Sequence, residues 1–155
     1  MNADRGIFAF EADFAGTLRC IPMNVRFKLD QCGVKLALKQ WNRFPTDDRQ
    51  YLVNRPCETT EQILRYGEYL TSLITLHTRS TAEFVAVEPA PAWADLSQVP
   101  RRLSSYATAW GVSPPSVDQW AALTALQRFS LFKLTRPNHD NDNFLPAMRE
   151  FGLAD

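Results

Sequence analysis

At 155 residues, with 45% hydrophobic and 22% charged residues, the chain has the composition of one ordinary globular domain, long enough to bury a core without metals or disulfides and too apolar to stay disordered. A formal net charge of +0 leaves no global field to draw in nucleic acid or an anionic membrane. The first residues lack a basic stretch followed by a long apolar run, no window approaches a membrane span, and three cysteines are an odd number, so the expectation is a soluble, cytoplasmic protein with reduced thiols and no disulfide framework.

From Gly6 to Phe14 the aromatics Phe8, Phe10 and Phe14 fall partly at a period of two, which predicts an extended N-terminal arm whose rings dock on helices. A helix from about Pro22 to Cys32 follows, with proline in its opening turn and Gly33 as the stop. Val25, Leu29 and Cys32 share its apolar face, and Arg26 is placed to pair with Asp30 one turn on. Val34 to Leu38 reads as a short extended connection. Trp41 sits on a brief amphipathic segment, and Thr46, followed by two acids, opens a helix to about Asn54. Thr59 and Gln62 match a capping box that starts the longest helix. Its stripe runs through Ile63, Leu70 and Ile74 to His77, where a packed or capping histidine is the ordinary explanation.

Residues 80–99 carry Pro89 and Pro91 in a low-charge run. Phe84, Val85, Val87 and Trp93 are too apolar for a free tether, so this stretch is expected to be a strap packed across the surface, joining halves at about 1–79 and 100–155 of one domain. An exposed peptide ligand for a partner is the alternative. Beyond it come a helix from Arg101 to Trp110, a shorter one carrying Trp120, and a helix opened by the capping box Thr124 with Gln127. On that helix Leu126, Phe129, Leu131, Phe132 and Leu134 wrap most of the circumference, so it is occupied with packing and has little polar surface to offer base edges. The run 138–143 is dense in turn formers but lacks the glycine and closing glutamate of a calcium loop. A last helix starts near Phe144 and ends at Gly152.

The two halves repeat a plan. Pro22, Gly33-Val34, Gln40-Trp41, Arg49, Leu52 and Arg55-Pro56 are answered by Pro100, Gly111-Val112, Gln119-Trp120, Arg128, Leu131 and Arg136-Pro137. The fold expected is therefore all-α, about seven helices built on two related helix-turn-helix units and fused into one core, against the competing reading that helical patterns coincide by chance.

Several blocks together carry a resemblance: Phe10-Glu11-Ala12-Asp13-Phe14, Leu18-Arg19-Cys20-Ile21-Pro22-Met23, Cys32-Gly33-Val34-Lys35-Leu36, Pro56-Cys57, Leu126-Gln127-Arg128-Phe129 and Asn143-Phe144-Leu145-Pro146-Ala147. In these the chain resembles the nitrate reductase-associated protein family, small bacterial proteins whose genes lie near those of nitrate assimilation. The resemblance implies an accessory or assembly role beside a molybdenum-dependent nitrate reductase, or contact with its cofactor-delivery proteins, and brings no catalytic residues with it.

No Gly-rich phosphate loop, nucleophile elbow or His-Glu-x-x-His run is present, so a non-catalytic protein acting by protein contact, without a cofactor, is the expectation. Two chemical alternatives stand beside it. Cys20, Cys32, Cys57 and His139 would suit a metal if they converged, though their spacings are long and buried cysteine is common. A single thiol at Cys20, beside Arg19, could relay sulfur toward a molybdenum cofactor. A nucleic-acid-binding regulator is the third alternative. For partner contact the candidate residues are Arg19, Arg26, Lys28, Lys35, Lys39 and Arg43, a basic flank opposed only by Asp30 and otherwise a solvated face.

Overall fold

The computed structural model describes residues 6–137 and 141–155, apart from the side chain of Phe14. Among these the secondary structure is mostly helical, with one two-stranded sheet. Contacts divide the chain into two compact units, Met1–Glu88 and Pro89–Asp155.

The first unit is built on α2 (Met23–Cys32) and α5 (Thr60–Thr78), which pack on each other. Around them lie α1 (Ala12–Ala15), α3 (Leu38–Trp41) and α4 (Thr46–Asn54), with β1 (Val34–Lys35) and β2 (Glu83–Phe84) paired antiparallel. Its core takes Val25 and Leu29 from α2, Trp41 and Phe44 from the α3 region, Leu52 from α4, and Tyr66, Leu70 and Ile74 from α5. Gly33 ends α2 with φ +70°, and its N–H donates to Leu29 O at 2.8 Å. A methyl group there would lie 2.8 Å from the Val85 carbonyl oxygen, so the position needs glycine both for its left-handed backbone and for the close approach of the β2 segment.

The N-terminal segment differs from the extended arm expected. Ala9–Glu11 forms a 3-10 turn and runs into α1. The reason is Glu11, fully buried, whose Oε1 accepts the Phe8 N–H and whose Oε2 accepts the Met23 N–H, each at 3.0 Å. A carboxylate folded back onto its own turn and onto the first N–H of α2 satisfies donors at the positive end of that helix. This local gain overrides the weak two-residue alternation of the phenylalanines.

The second unit centres on α8 (Ala125–Lys133). The 3-10 turn Ala92–Ala94, α6 (Arg101–Ala109) and α9 (Phe144–Glu150) pack against it, and α7 (Val117–Ala122) precedes it. Phe129 and Leu131 on α8 are buried, as are Leu103, Trp120, Phe144 and Met148. Trp93 meets Phe129 edge to face with ring centres 6.1 Å apart. Arg128 donates from Nε to the Trp93 carbonyl at 3.0 Å and from Nη1 to the Leu123 carbonyl, tying the turn to the helix. Capping boxes open α5 at Thr59 and Gln62 and α8 at Thr124 and Gln127, and a third, Ser116 with Gln119, opens α7.

In each unit one tryptophan is wholly buried and its indole N–H reaches back to an irregular segment. Trp41 Nε1 donates to the Leu18 carbonyl at 2.8 Å, and Trp120 Nε1 donates to the Asp95 carbonyl at 2.9 Å.

Candidate apolar docking groove

The side chains singled out for metal or thiol chemistry fall in different settings. His139 lies outside the described residues. Cys20 is half-buried on the loop before α2 and Cys57 is buried after α4. Cys32 lies at the end of α2, its thiol 3.7 Å from the Leu29 carbonyl, and the Cys57 thiol lies 4.0 Å from the Lys28 carbonyl on the same helix. Burial pushes the Cys57 thiol up to about 11, with the Cys32 sulfur adding to the shift and Lys28 opposing it, and burial raises Cys32 as well, against backbone hydrogen bonds at Val34 and Cys32 that lower it. A protonated, enclosed thiol is a poor nucleophile and a poor metal ligand. Among the described residues no three His, Cys, Asp or Glu side chains are placed to hold a metal ion together.

The basic flank is largely committed elsewhere. Lys28 turns inward, donating to Leu52 O at 3.2 Å and Val53 O at 2.7 Å in the last turn of α4, where the helix dipole favours a cation. Tyr66 donates to the same Leu52 carbonyl at 2.9 Å. Arg26 donates to Ile21 O and Arg19 to Thr17 Oγ1, both local contacts. Lys35 pairs with Glu83 across the sheet at 3.5 Å. Lys39 and Arg43 are exposed.

Burial pushes Lys28 down to about 8, against the attraction of Cys57 and Glu58. Its folded-state pKa therefore lies below the ordinary lysine value, and the unfolded chain takes up a proton that the folded chain resists between pH 8 and the lysine range. Stability should rise with pH over 8 to 9. Above pH 9 Cys57 opposes the trend, because its raised pKa contributes stability that is lost as pH climbs through about 11. Urea midpoints measured across this window should rise for the native chain and flatten in Lys28→Met. A flat native profile would mean that the two carbonyls hold the ammonium as well as water does.

What the first unit does leave open is apolar. A groove of about 450 Å³ runs between the end of α2, the first half of α5 and β2. Val34, Ile63 and Gly67 line it with Cys32, and Leu64 and Phe84 also border it. Leu64 is 62% and Phe84 68% exposed. Gly67 keeps the groove open, since α5 has no side chain there over Cys32 and Val34. Glu68 lines the groove with a carboxylate, and the Lys35–Glu83 pair adjoins Val34 and Phe84 on its strand side. A hollow of about 470 Å³ in the second unit is bordered by Ser113, Gln119, Arg149 and Asp155 and is far more polar. Large exposed apolar side chains beside a preformed groove are the signature of a surface that meets another molecule.

Sequence reasoning placed Ile63 on the buried stripe and Phe84 in a packed strap, and did not foresee that they share a groove. The available signal was the apolar run Phe84-Val85-Ala86-Val87 within a stretch otherwise fit for a linker; Val85 and Val87 are about half exposed, 49% and 50%.

No helix among the described residues is long and apolar enough to cross a membrane. No curated protein and no solved structure matches the chain. Over residues 7–151, however, it matches the family described as conserved nitrate reductase-associated protein, and the chain belongs to that family.

Proposed function

We propose that the protein is a non-catalytic, cytoplasmic accessory or assembly factor for nitrate reductase, acting by direct protein contact through the groove between α5 and β2. The observation that carries this reading is the pairing of Leu64 and Phe84, both well exposed on the border of an apolar groove, in a chain of a family associated with that enzyme. The site's groups suit contact better than catalysis: its thiol is held protonated, and its one charged lining residue is a carboxylate. The buried tryptophan device present in each unit supports reading the two as related helix-turn-helix copies.

Affinity-tagged protein from cells grown on nitrate should recover the reductase or one of its cofactor-delivery proteins. Leu64→Glu and Phe84→Ser alter exposed positions, so stability should change by only about 0.5 kcal/mol. Recovery should nevertheless fall by about tenfold, the effect of losing roughly 1.4 kcal/mol of contact. Capture of neither class of protein by the native chain would sink the proposal, and undiminished capture by both variants would move the contact away from the groove.

A further inference from the structure

The strand that borders the groove has one open edge. Val34 lies opposite Phe84 and Lys35 opposite Glu83, and the Val85 N–H donates to Gly33 O at 2.9 Å. In an antiparallel ladder alternate residues turn their N–H and C=O to opposite sides. Glu83 and Val85 therefore bond toward β1, while Phe84 and Ala86 turn theirs away from it. Among the described residues neither of those two N–H groups has a hydrogen-bond partner, and the side chains from Glu83 to Glu88 are all exposed. A row of unpaired backbone donors and acceptors is a template for one kind of occupant, another extended strand.

Charge decides whose strand it is. Glu83 and Glu88 bracket Phe84–Val87, and Glu68 lines the adjoining groove. A second copy laid antiparallel along this edge has to match outward-turned residues with outward-turned ones, so that Phe84 meets Ala86 and Glu83 meets Val87; the other strand's Glu88 then lies beside Glu83 at both ends, and carboxylates crowded together in this way repel. An apolar strand with Lys or Arg at its ends meets the opposite situation. The Lys35–Glu83 pair is highly exposed, and such a pair is held too weakly to prevent an incoming cation from sharing the carboxylate.

We propose that the open edge of β2 takes an extended apolar segment of another protein, flanked by basic residues, by strand addition, with its alternate side chains entering the groove beside Leu64 and Phe84. This rests on the protein-contact reading above and states how that contact is made. The probe is a fluorescein-labelled peptide, Lys-Val-Thr-Ile-Thr-Val-Lys, titrated against the full chain by anisotropy, with amide exchange at Phe84 and Ala86 followed by NMR. Saturable binding is expected, with slowed exchange at both amides. It should weaken by about tenfold when the flanking lysines become glutamates, and should be lost when the central amides are N-methylated. Ala86→Pro removes one outward donor without touching the bonds to β1, and should abolish binding in a chain that keeps its fold.

Absence of binding by the lysine-flanked peptide overturns the proposal. So does binding that survives N-methylation with both amides unchanged, since the groove would then hold the peptide without backbone pairing. Slowed exchange that grows with protein concentration and needs no peptide would assign the edge to a second copy and also overturn it. If Ala86→Pro recovers the reductase as well as the native chain does, strand addition fails while the accessory role stands. Peptide binding as described, with no reductase recovered, supports strand addition and overturns only the accessory role.

Discussion

Glu11→Ala should destabilise the first unit by about 3–4 kcal/mol, because it leaves one buried and one part-buried N–H group without their acceptor; each such loss is worth roughly 1–3 kcal/mol. The carboxylate is fully buried and ties the Phe8 and Met23 amides together, so its removal also opens a void the size of a side chain's end. Glu11→Gln keeps the shape and one acceptor oxygen, and replaces the other with a donor that meets an N–H group head on. About half the loss is expected there, on the scale of one charge-assisted bond. Amide exchange at Val25 and Leu29, which report opening of α2, gives the measurement without assuming a single global transition. Loss of less than about 1 kcal/mol in Glu11→Ala, within the range of an ordinary surface change, would show that water replaces the carboxylate and that the segment is held by its apolar contacts alone.

Glu11 also marks where the sequence stops being legible. Its partner amide is twelve residues downstream, and nothing in a local pattern separates a buried carboxylate from a solvated one. Lys28 is the same case: the sequence places it on a basic flank, yet it closes the end of α4 through carbonyls 24 and 25 residues away. Arg26, spaced to pair with Asp30, bonds the Ile21 carbonyl, a local contact that spacing on an ideal helix does not reveal. Features confined to one turn were readable. Thr59 with Gln62 and Thr124 with Gln127 form the capping boxes their spacing predicts, and Gly33 and Gly111 take positive φ. The groove could not be read in this way, since it joins Cys32 and Val34 to Ile63, Gly67 and Phe84. Its one trace was apolar residues in a stretch too short of charge for a tether and, as the structure shows, too exposed for a packed strap.

Truncating either buried tryptophan to alanine should remove about 3–5 kcal/mol from its own unit, the range for deleting a large core aromatic. The milder Trp41→Phe and Trp120→Phe separate two contributions, because phenylalanine keeps much of the ring but loses the indole donor and leaves part of the cavity. Trp41 donates to Leu18 O, which also accepts from Arg49 Nη1 at 2.8 Å. Leu18 itself is buried with φ +60°, a left-handed conformation that costs about 1–2 kcal/mol for a residue with a side chain. Two donors converging on one carbonyl oppose the relaxation of that strain. In Trp41→Phe only Arg49 remains to hold the strained turn, so a loss of about 2–3 kcal/mol is expected, combining a bond of roughly 1 kcal/mol with the partial cavity. Trp120→Phe leaves the Asp95 carbonyl without its indole donor but strains no left-handed residue, since Asp95 has φ −76°. Its loss should be smaller, nearer 2 kcal/mol by the same terms. Exchange free energies read at Leu52 and Leu70 for the first variant, and at Leu103 and Leu131 for the second, report each unit separately. Equal losses would mean that the strained turn at Leu18 needs only one of its two donors, and a neutral Trp41→Phe would remove the indole from the set of groups that hold the first unit together.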